Sequence, residues 1–284
     1  MPIGIFYDQI RFEEKELFKA AENLSVSFKR MNIDDLFFTL NEKGVEIKGI
    51  DIALLRCVSY FKSLHFSNYL EGVGIRPVSS FKTLQTAGNK LFTSMALIKN
   101  GVKTPTTVLS FSYQSALNSL NKVGYPAVLK PVVGSWGRLI SLIGDRYSAE
   151  AILEDRQYMS PLYQIYYIQD YVEKPGRDIR VTVIGGEIVS AIYRISPPDQ
   201  WKTNIALGGK SEKAEVDSEL AEIVLKATEA VGGEFVGVDV LESPKEGYLV
   251  NEVNPTPEFR GSMEATGVNI PEKVIKYLVS LIRK

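Results

Sequence analysis

Two oxygen-bearing side chains end the strand-like run YLVNEVNPTPEFRG, residues 248–261. Glu252 and Asn254 are two residues apart, so on a β-strand both side chains point to the same face. Mg²⁺ binds through one or two carboxylates and completes its coordination with water and substrate phosphates, so this pair suits a magnesium ligand set. An isolated pair of this kind fits equally well a solvated strand end at which Asn254-Pro255 starts a turn.

The run FVGVDVLE, residues 235–242, adds a third candidate ligand. Asp239 shares one strand face with Gly237, which leaves space beside it, while the alternating valines supply the core face. If the two runs pair as a hairpin, Asp239 meets Glu252 across the strands. Three oxygen ligands, Asp239, Glu252 and Asn254, would then face one cleft and form a metal and phosphate site.

A glycine-bearing loop, KPVVGSWGR at residues 130–138, lies between two predicted strands. Glycines allow the backbone to approach an anion closely, and Lys130 adds a compact positive charge, so the loop suits a mobile lid over a nucleotide phosphate. The loop matches neither the P-loop pattern nor the dinucleotide-binding glycine pattern. The alternative interpretation is a glycine-rich hairpin with a packed Trp136.

The run GRDIRVTVIGGEIVSAIYR, residues 176–194, carries arginines on both arms of a predicted hairpin that turns at Gly185-Gly186. The planar guanidinium suits a phosphate or a carboxylate and keeps its charge at any relevant pH. A simple two-residue turn would place Arg180 and Arg194 on opposite faces of the sheet. For both to line one cleft, the hairpin must contain a bulge. Otherwise they are exposed arginines of an antiparallel sheet.

Composition limits the remaining chemistry. The chain has 284 residues, with 33 Lys plus Arg against 34 Asp plus Glu, one cysteine and one histidine. The net charge of −1 gives no reason to expect nucleic acid or membrane binding. Cys57 and His65 are too few for a disulfide framework or a structural zinc site and are interpreted as packing or surface residues. Because no apolar run approaches the ~20 residues that cross a bilayer, we predict a soluble, cytoplasmic protein.

Hydrophobic periodicity divides the chain into three regions. Alternating strands and helices over residues 1–88 predict a parallel α/β domain. Residues 89–165 predict a small central α+β unit that carries the glycine-bearing loop. Residues 166–284 predict a mostly antiparallel unit with the two hairpins and a closing helix. These three units must position the charged side chains around a shared cleft.

Taken in order, the motifs resemble those of the ATP-grasp carboxylate–amine ligases. The resemblance runs over nearly the whole chain, through GNKLFT, LKP, GSWGR, QDYVEKPGRDIR, NIALGG, GVDV and NEVNPTPEF. It implies an ATP-grasp fold of the α/β class with α+β lobes. The expected parts are an N-terminal parallel-sheet, Rossmann-like pre-ATP-grasp domain, a small central α+β lid domain and a C-terminal, mostly antiparallel domain. The implied cofactors are ATP and Mg²⁺.

The resemblance also implies a role for each matching residue. ATP contacts are implied for Lys90, Lys130, the lid residues Gly134, Ser135, Trp136, Gly137 and Arg138, the adenine hinge Gln169, Asp170, Tyr171 and Val172, and Arg180 and Asn204. Magnesium ligands are implied at Asp239, Glu252 and Asn254, and catalytic contacts with the phosphates and reacting groups at Arg180, Arg194 and Asn204. One departure is Gln169, where many relatives have an acidic residue; backbone contacts to adenine would tolerate it.

Within this family the runs GSWGRLISLI, KPGRDIRV, NIALGGKSE and PEFRGSMEATGVNIPEK are similar to those of LysX and ArgX, and most to LysX. These enzymes load amino acids onto the small acidic carrier protein LysW. The implied reaction phosphorylates the γ-carboxylate of the carrier's C-terminal glutamate with ATP, and the amino acid's α-amine then attacks the acyl phosphate to give an isopeptide bond. Homodimers or homotetramers are expected. The alternatives are a RimK-like ligase that adds glutamate to another protein's C-terminus and a regulatory subunit that binds ATP without turnover.

The amino-acid substrate is less sharply indicated. Substrate contacts are implied for Arg194, Glu258, Phe259, Gly261 and Ser262. The Gly261-Ser262 pair corresponds to a family dipeptide that is Gly-Phe in glutamate enzymes and Asn followed by Ser or Thr in aminoadipate enzymes. Serine leaves room for one more methylene than phenylalanine, so α-aminoadipate is predicted. A single methylene discriminates by only ~1–3 kcal/mol, so use of glutamate as well is a second expectation.

Overall fold

The computed structural model of the chain describes residues 3–40, 47, 49–197, 200–203 and 209–282. The first unit contains the strands β1 (Ile3–Tyr7), β2 (Phe28–Asn32), β3 (Ile52–Leu55) and β4 (Arg76–Val78) and the helices α1 (Phe12–Asn23), α2 (Tyr60–Gly72) and α3 (Phe81–Ala87). The strands form a parallel sheet in the order β2-β1-β3-β4. Both β1 and β3 are buried along their whole length, as expected for a parallel sheet covered on both faces. The predicted N-terminal parallel sheet is confirmed.

The central unit contains a four-stranded antiparallel sheet and three helices. Its elements are α4 (Lys90–Lys99), β5 (Thr107–Ser110), α5 (Tyr113–Val123), β6 (Ala127–Lys130), β7 (Ser141–Ile143), α6 (Arg146–Gln157) and β8 (Tyr166–Asp170). The strand order is β5-β8-β6-β7. Because β8 pairs with both β5 and β6, we propose that the central unit extends through Asp170 rather than ending at residue 165.

The third unit is a larger antiparallel sheet. Its elements are β9 (Arg177–Ile184), β10 (Glu187–Ile195), β11 (Lys210–Lys213), α7 (Ser218–Ala230), β12 (Phe235–Ser243), β13 (Gly247–Asn254), α8 (Arg260–Thr266) and α9 (Ile270–Ile282). The strand order is β11-β10-β9-β12-β13, and all pairs are antiparallel. Helix α7 covers one face, where the predicted valines of β12 are fully buried. The opposite face is left to the charged residues of the predicted site.

The closing helix α9 packs mainly against the first unit and also reaches Ile184 and Phe235 of this sheet. Its apolar residues share a core with β1, β3 and α1 of the first unit, and Ile270, Val274 and Leu278 are almost completely buried there. Pro271 lies in the first turn of α9, where a missing N–H is harmless. The end of the described chain therefore fastens the first unit to the third, and the two together frame one cleft.

Candidate active site

A β-bulge brings the two arginines of the first hairpin to one face. Gly185 and Gly186 both have positive φ, at 59° and 82°, as a tight two-residue turn requires. The register then shifts by one residue between Ile188 and Ser190. Beyond the shift Arg194 pairs with Asp178, whereas without it Arg194 would pair with Arg177. Asp178 and Arg180 are two residues apart on β9, so Arg180 and Arg194 point to the same side. The hairpin therefore contains the bulge that the sequence required for both arginines to line one cleft.

Asp239, on the neighbouring strand β12, contacts both of these arginines. It pairs with Arg180 across β9 and β12, and its carboxylate accepts hydrogen bonds from Arg180 Nε and, at 2.7 Å, from Arg180 Nη2. Arg194 Nη2 is 2.9 Å from Asp239 Oδ2. Burial alone would raise the pKa of Asp239, but the two guanidinium charges outweigh it and hold the pKa below its ordinary value. Asp239 is therefore a buried carboxylate that is ionised at neutral pH.

Gly237 makes room for this arrangement. A Cβ added to Gly237 would lie 3.1 Å from Arg180 Cδ and 3.1 Å from Pro257 Cβ, which is tighter than ordinary contact. The bare backbone at this position lets the stem of Arg180 cross the sheet towards Asp239. The space predicted beside Gly237 is filled by this side chain.

Glu252 lies opposite Asp239, as the hairpin prediction required. The two residues are paired across β12 and β13, and Glu252 Oε2 is 3.2 Å from Lys90 Nζ. Asn254 is two residues further on, and its side-chain oxygen accepts a hydrogen bond of 2.9 Å from the Thr256 N–H. Among the described residues no group of three His, Cys, Asp or Glu side chains is suited to a metal. The predicted set of Asp239, Glu252 and Asn254 therefore contains two carboxylates and one amide oxygen.

Two lysines face these carboxylates from the central unit. Asn89 caps α4 by accepting hydrogen bonds from two backbone N–H groups, which starts the helix at Lys90 and holds that lysine at the cleft. Lys130, at the end of β6, is almost completely buried and donates to Gln169 Oε1 and, at 2.8 Å, to Asn251 Oδ1. Burial, followed by the charge of Lys90, lowers the pKa of Lys130 to about 7, although nearby carboxylates oppose the shift.

The glycine-bearing loop closes over the lysines. Lys90 Nζ donates to Gly134 O at 2.9 Å, and Lys202 Nζ donates to Gly137 O at 3.2 Å and to Ile140 O at 2.9 Å. Trp136 has a positive φ of 57°, an unusual backbone conformation for an aromatic residue, and Arg138 stacks 4.9 Å from its ring centroid. A lid held by three separate contacts is consistent with the predicted phosphate-binding role and does not resemble a simple packed hairpin.

The charged face, the lysines and the lid enclose one cavity of about 910 Å³. Its walls include the following predicted residues: Lys90, Lys130, Gly134, Ser135, Trp136, Gly137, Arg138, Gln169, Asp170, Tyr171, Val172, Arg180, Arg194, Asp239, Glu252, Asn254, Glu258, Gly261 and Ser262. The structure thus brings together residues that are spread over most of the chain. Asn204 lies outside the described residues.

The predicted substrate contact at Phe259 is wrong. Its side chain is completely buried in the core shared with the first unit, where its ring centroid lies 6.2 Å from that of Phe235. Two residues close to it in the sequence do line the cavity. Glu258 lies at the cavity wall, and Ser262, in the first turn of α8, is buried but also lines the cavity. Phe259 immediately precedes α8, and its ring packs in the core where this helix begins.

Several cavity residues were missed from the sequence. Asp178 binds Arg194 through two hydrogen bonds of 2.7 and 2.8 Å, and Lys174 donates to Thr203 Oγ1 at 3.2 Å. Burial lowers the pKa of Lys174, and the charge of Asp178 opposes the shift. Asn251 reaches Lys130 because a second register shift, after Asp239, leaves Asn251 as the extra residue of β13. The spacing of Asp178 from Arg180 was a usable signal, whereas the shift at Asn251 had none.

The cysteine does not supply a nucleophile. Cys57 lines the cavity but is 2% exposed, and burial, followed by the charge of Asp8, raises the pKa of its thiol to about 12. A thiol with this pKa is protonated at neutral pH and is a weak nucleophile. The interpretation of Cys57 as a packing residue agrees with this environment.

Comparison with known proteins connects this geometry with a family. Residues 87–278 match the RimK-like ATP-grasp domain, and residues 3–86 match the LysX preATP-grasp domain. The chain is 37% identical over 279 residues to the glutamate–LysW ligase ArgX of Sulfurisphaera tokodaii, covering 98% of each protein. It is 36% identical over 286 residues to the alpha-aminoadipate–LysW ligase LysX of the same organism, covering 100% of each. A RimK domain ATP-grasp protein from Sphaerobacter thermophilus has a similar fold, with a TM-score of 0.80 at 20% identity over 98% of this chain and 99% of that one.

Proposed function

Because the chain belongs to the RimK-like ATP-grasp family, we propose that it joins the α-amino group of α-aminoadipate to the γ-carboxylate of the C-terminal glutamate of a LysW carrier protein. The reaction has two steps. The carrier carboxylate takes the γ-phosphoryl group of ATP and becomes an acyl phosphate, with release of ADP. The neutral amine then attacks the acyl carbon, the C–O bond to phosphate breaks as the C–N bond forms, and the departing phosphate carries away the proton that the amine nitrogen loses. Because the acyl phosphate must react with the amine before the site can turn over again, sustained ADP release is expected to require both the carrier and an amino acid.

The observation that carries this proposal is the row of charges beneath the lid. Cations from two units, Lys90, Lys130 and Arg194, converge on Asp239 and Glu252 in one cavity. Phosphoryl transfer needs positioning and electrostatic stabilisation of phosphate oxygens rather than a protein nucleophile. The protonated thiol of Cys57 is consistent with such a mechanism. The lid would exclude water, which would otherwise hydrolyse the acyl phosphate.

The donor set on the sheet fits magnesium. Asp239 and Glu252 are paired across two strands, and Asn254 adds an amide oxygen at the end of the same strand as Glu252. This is a hard-oxygen set of the kind that Mg²⁺ shares with phosphate oxygens and water. We propose that these three residues hold Mg²⁺, which when bound would neutralise charge on the ATP phosphates. At present Lys90 contacts Glu252, and Arg180 and Arg194 contact Asp239. With Mg²⁺ and ATP bound, phosphate oxygens would replace some of these carboxylate contacts.

A RimK-like or a non-catalytic function is less well supported. The match of residues 3–86 to the LysX preATP-grasp domain supports a LysX or ArgX enzyme over a ribosomal-protein ligase. The complete set of lysines and carboxylates around the cavity supports turnover. Within the LysX and ArgX group, similarity to an ArgX protein at 37% and to a LysX protein at 36% supports glutamate as the second candidate amino acid.

The choice between the two amino acids is proposed to depend on Ser262. This residue is 2% exposed and lies at the cavity wall in the first turn of α8. A small side chain at this position leaves space for the longer aminoadipate chain. We expect Ser262→Phe to lower kcat/KM for aminoadipate by about tenfold or more relative to glutamate, because the ring would fill the space of a methylene and its carboxylate. Competition between the two amino acids, measured by mass spectrometry of the loaded carrier, checks this.

Ser262→Ala is the matched control for that variant. It removes the hydroxyl without filling the pocket, so it separates the effect of size from that of hydrogen bonding. A Ser262→Phe enzyme that keeps the parent preference would contradict the assignment of Ser262 to the substrate pocket.

ATP binding is expected to take up a proton at Lys130. In the free protein the pKa of Lys130 is about 7, so the amine is mostly neutral at pH 8. Phosphate favours the charged form and must raise this pKa on binding. ATP affinity should therefore fall as pH rises above about 7, and the proton uptake that depends on Lys130 should be larger at pH 8 than at pH 6. Calorimetry in two buffers of different ionisation enthalpy measures this uptake.

Lys130→Met supplies the control for the proton measurement. Methionine keeps the length of the side chain but cannot titrate, so the uptake at pH 8 should disappear while any remaining ATP affinity becomes nearly independent of pH in this range. Proton uptake that persists in Lys130→Met would mean that another group titrates.

The setting of the enzyme is also proposed from the family. Among the described residues no helix is long and apolar enough to span a membrane. We propose a cytoplasmic homodimer or homotetramer that acts on a small acidic carrier and binds neither nucleic acid nor membranes. The nearly balanced charge of the chain, 33 basic against 34 acidic residues, supports the absence of a nucleic acid partner.

A further inference from the structure

One carboxylate oxygen connects the lid with the first unit. Glu258 Oε1 accepts a hydrogen bond of 3.3 Å from the indole Nε1 of Trp136 in the lid. The same oxygen accepts a hydrogen bond of 3.0 Å from Arg11 Nη1, just before helix α1 of the first unit. Glu258 itself belongs to the third unit, on the segment before α8. Three units of the fold therefore meet at a single atom at the edge of the cavity.

Arg11 is held firmly for this contact. Its Nε and Nη2 groups donate to the two carboxylate oxygens of Glu14 at 3.1 and 2.9 Å, and its backbone N–H donates to Glu14 as well. Glu14 is completely buried and also accepts a hydrogen bond of 3.2 Å from the buried Arg56. This bidentate arrangement fixes the plane of the Arg11 guanidinium and directs Nη1 to Glu258.

The backbone near Glu258 is anchored, whereas its side chain is half-exposed. Glu13 Oε1 accepts hydrogen bonds of 3.2 Å from the backbone N–H groups of both Phe259 and Arg260, which anchors the segment to α1. The side chain of Glu258 is 46% exposed. Of the two donors to this carboxylate, Arg11 and Trp136, only Arg11 carries a charge, and hydrogen bonds from charged donors are the stronger ones. The position of the acceptor for Trp136 therefore depends on Arg11.

We infer that Arg11 is a positioning residue for the lid: it holds Glu258 where that carboxylate can accept the indole N–H of Trp136. Docking of the first unit is thereby linked to closure of the loop over the cavity. Arg11 does not act on reacting groups directly in this role. The consequence for catalysis rests on the proposed function, because a lid held closed would keep water from an acyl phosphate.

A second ion pair between the same two units provides a matched control. Arg76 Nη2, on β4, is 2.6 Å from Glu234 Oε1, just before β12. This pair is also partly exposed, but neither of its residues lines the active-site cavity or contacts the lid. If Arg11 only helped to dock the first unit, loss of Arg76 would have the same effect on the lid as loss of Arg11.

The test uses the fluorescence of Trp136 in the full chain without nucleotide. Trp201→Phe provides the parent, because the chain has two tryptophans and phenylalanine retains an aromatic contact for Tyr171. Acrylamide quenching is compared for Arg11→Met, Arg11→Lys, Glu258→Ala and Arg76→Met in this parent. We expect the quenching constant to rise about twofold or more in Arg11→Met and Glu258→Ala, to lie between these and the parent in Arg11→Lys, and to stay at the parent value in Arg76→Met.

Two outcomes would overturn the inference. One is unchanged quenching in both Arg11→Met and Glu258→Ala. The other is an equal rise in Arg76→Met, which would assign the effect to general docking of the first unit. Circular dichroism and thermal unfolding identify any variant that fails to fold, and the half-exposed Glu258 keeps the test decisive if Arg11→Met is unstable.

A second readout measures the consequence for the reaction. With carrier and amino acid present, the ratio of ADP to loaded carrier should be near one in the parent and should rise about threefold or more in Arg11→Met, because water reaches the acyl phosphate through an open lid. A ratio that stays near one in Arg11→Met would overturn the catalytic consequence. If the parent shows no carrier-dependent turnover, the proposed function fails, and the quenching result still decides the role of Arg11.

Discussion

The variant Glu252→Gln is expected to lose about a thousandfold in kcat while it folds as stably as the parent protein. Losses of this size follow removal of one preorganised electrostatic group from an active site. Glutamine keeps the shape of the side chain but removes the charge that faces Asp239 across the hairpin and Lys90 across the cavity. The stability effect should be small, because the ion pair with Lys90 is 28% exposed on the Glu252 side. Steady-state ADP release and thermal unfolding measure the two effects separately.

Glu242→Gln is the matched control for this variant. Glu242 lies on the other strand of the same hairpin and pairs with Arg177 through hydrogen bonds of 2.7 and 3.0 Å, but it does not line the cavity. Its kcat should remain within about twofold of the parent value. Full activity in Glu252→Gln would remove Glu252 from the proposed magnesium site and with it the main support for that site.

The variant Asp239→Asn is expected to lose both activity and stability. Asp239 is 5% exposed and accepts hydrogen bonds from Arg180 and Arg194, so neutralising it leaves two guanidinium charges in a buried setting with one fewer counter-charge. Removing one partner of a buried ion pair costs about 3 to 5 kcal/mol in the free energy of unfolding. Urea denaturation of the parent and the variant measures this difference.

The pH dependence of the loss provides an internal check. The pKa of Asp239 is held below its ordinary value, so its stabilising contribution is present above about pH 4 and is lost as the pH falls through the lowered pKa. The difference between parent and Asp239→Asn should therefore shrink in acid. Glu242→Gln, which breaks a more exposed pair, should cost less than about 1 kcal/mol. A loss in Asp239→Asn no larger than that of Glu242→Gln would show that Asp239 does not hold the arginines together.

Side-chain alternation was sufficient to predict the charged face. Because side chains two apart on a strand share a face, the pairing of Asp239 with Glu252 and the space at Gly237 followed from the two runs themselves. The same rule required a bulge between Arg180 and Arg194, and the structure contains one. The bulge lies at Val189, between Ile188 and Ser190, and nothing in the sequence there marks its position.

The contacts made across the cavity had no local signal. Arg11 and Glu258 are 247 positions apart, and Lys130 and Asn251 are 121 positions apart. Each contact depends on how separate units pack, which the period of a single strand or helix does not specify. The same reason explains Phe259, whose neighbours Glu258 and Gly261 line the cavity while its own ring packs beside Phe235 in the core.

The boundaries of the units were also difficult to predict from the chain alone. Strand β8 follows an irregular segment and was assigned to the third region, but it pairs with β5 and β6 of the central sheet. Helix α9 was assigned to the third region by its position in the sequence, whereas its apolar face completes the core of the first unit. Helix α9 itself was predicted, and for both elements the partner depended on contacts between distant parts of the chain.

The central claim is tested most directly by ADP release with a LysW-type carrier that ends in glutamate. The assay compares α-aminoadipate, glutamate and no amino acid, with a carrier that lacks its C-terminal glutamate as control. The account predicts sustained, multiple-turnover release only when the intact carrier and an amino acid are both present, with turnover for aminoadipate well above that for glutamate. Comparable turnover with both amino acids would assign a permissive pocket at Gly261 and Ser262. ADP release that is absent, or that does not depend on the carrier, would contradict the account.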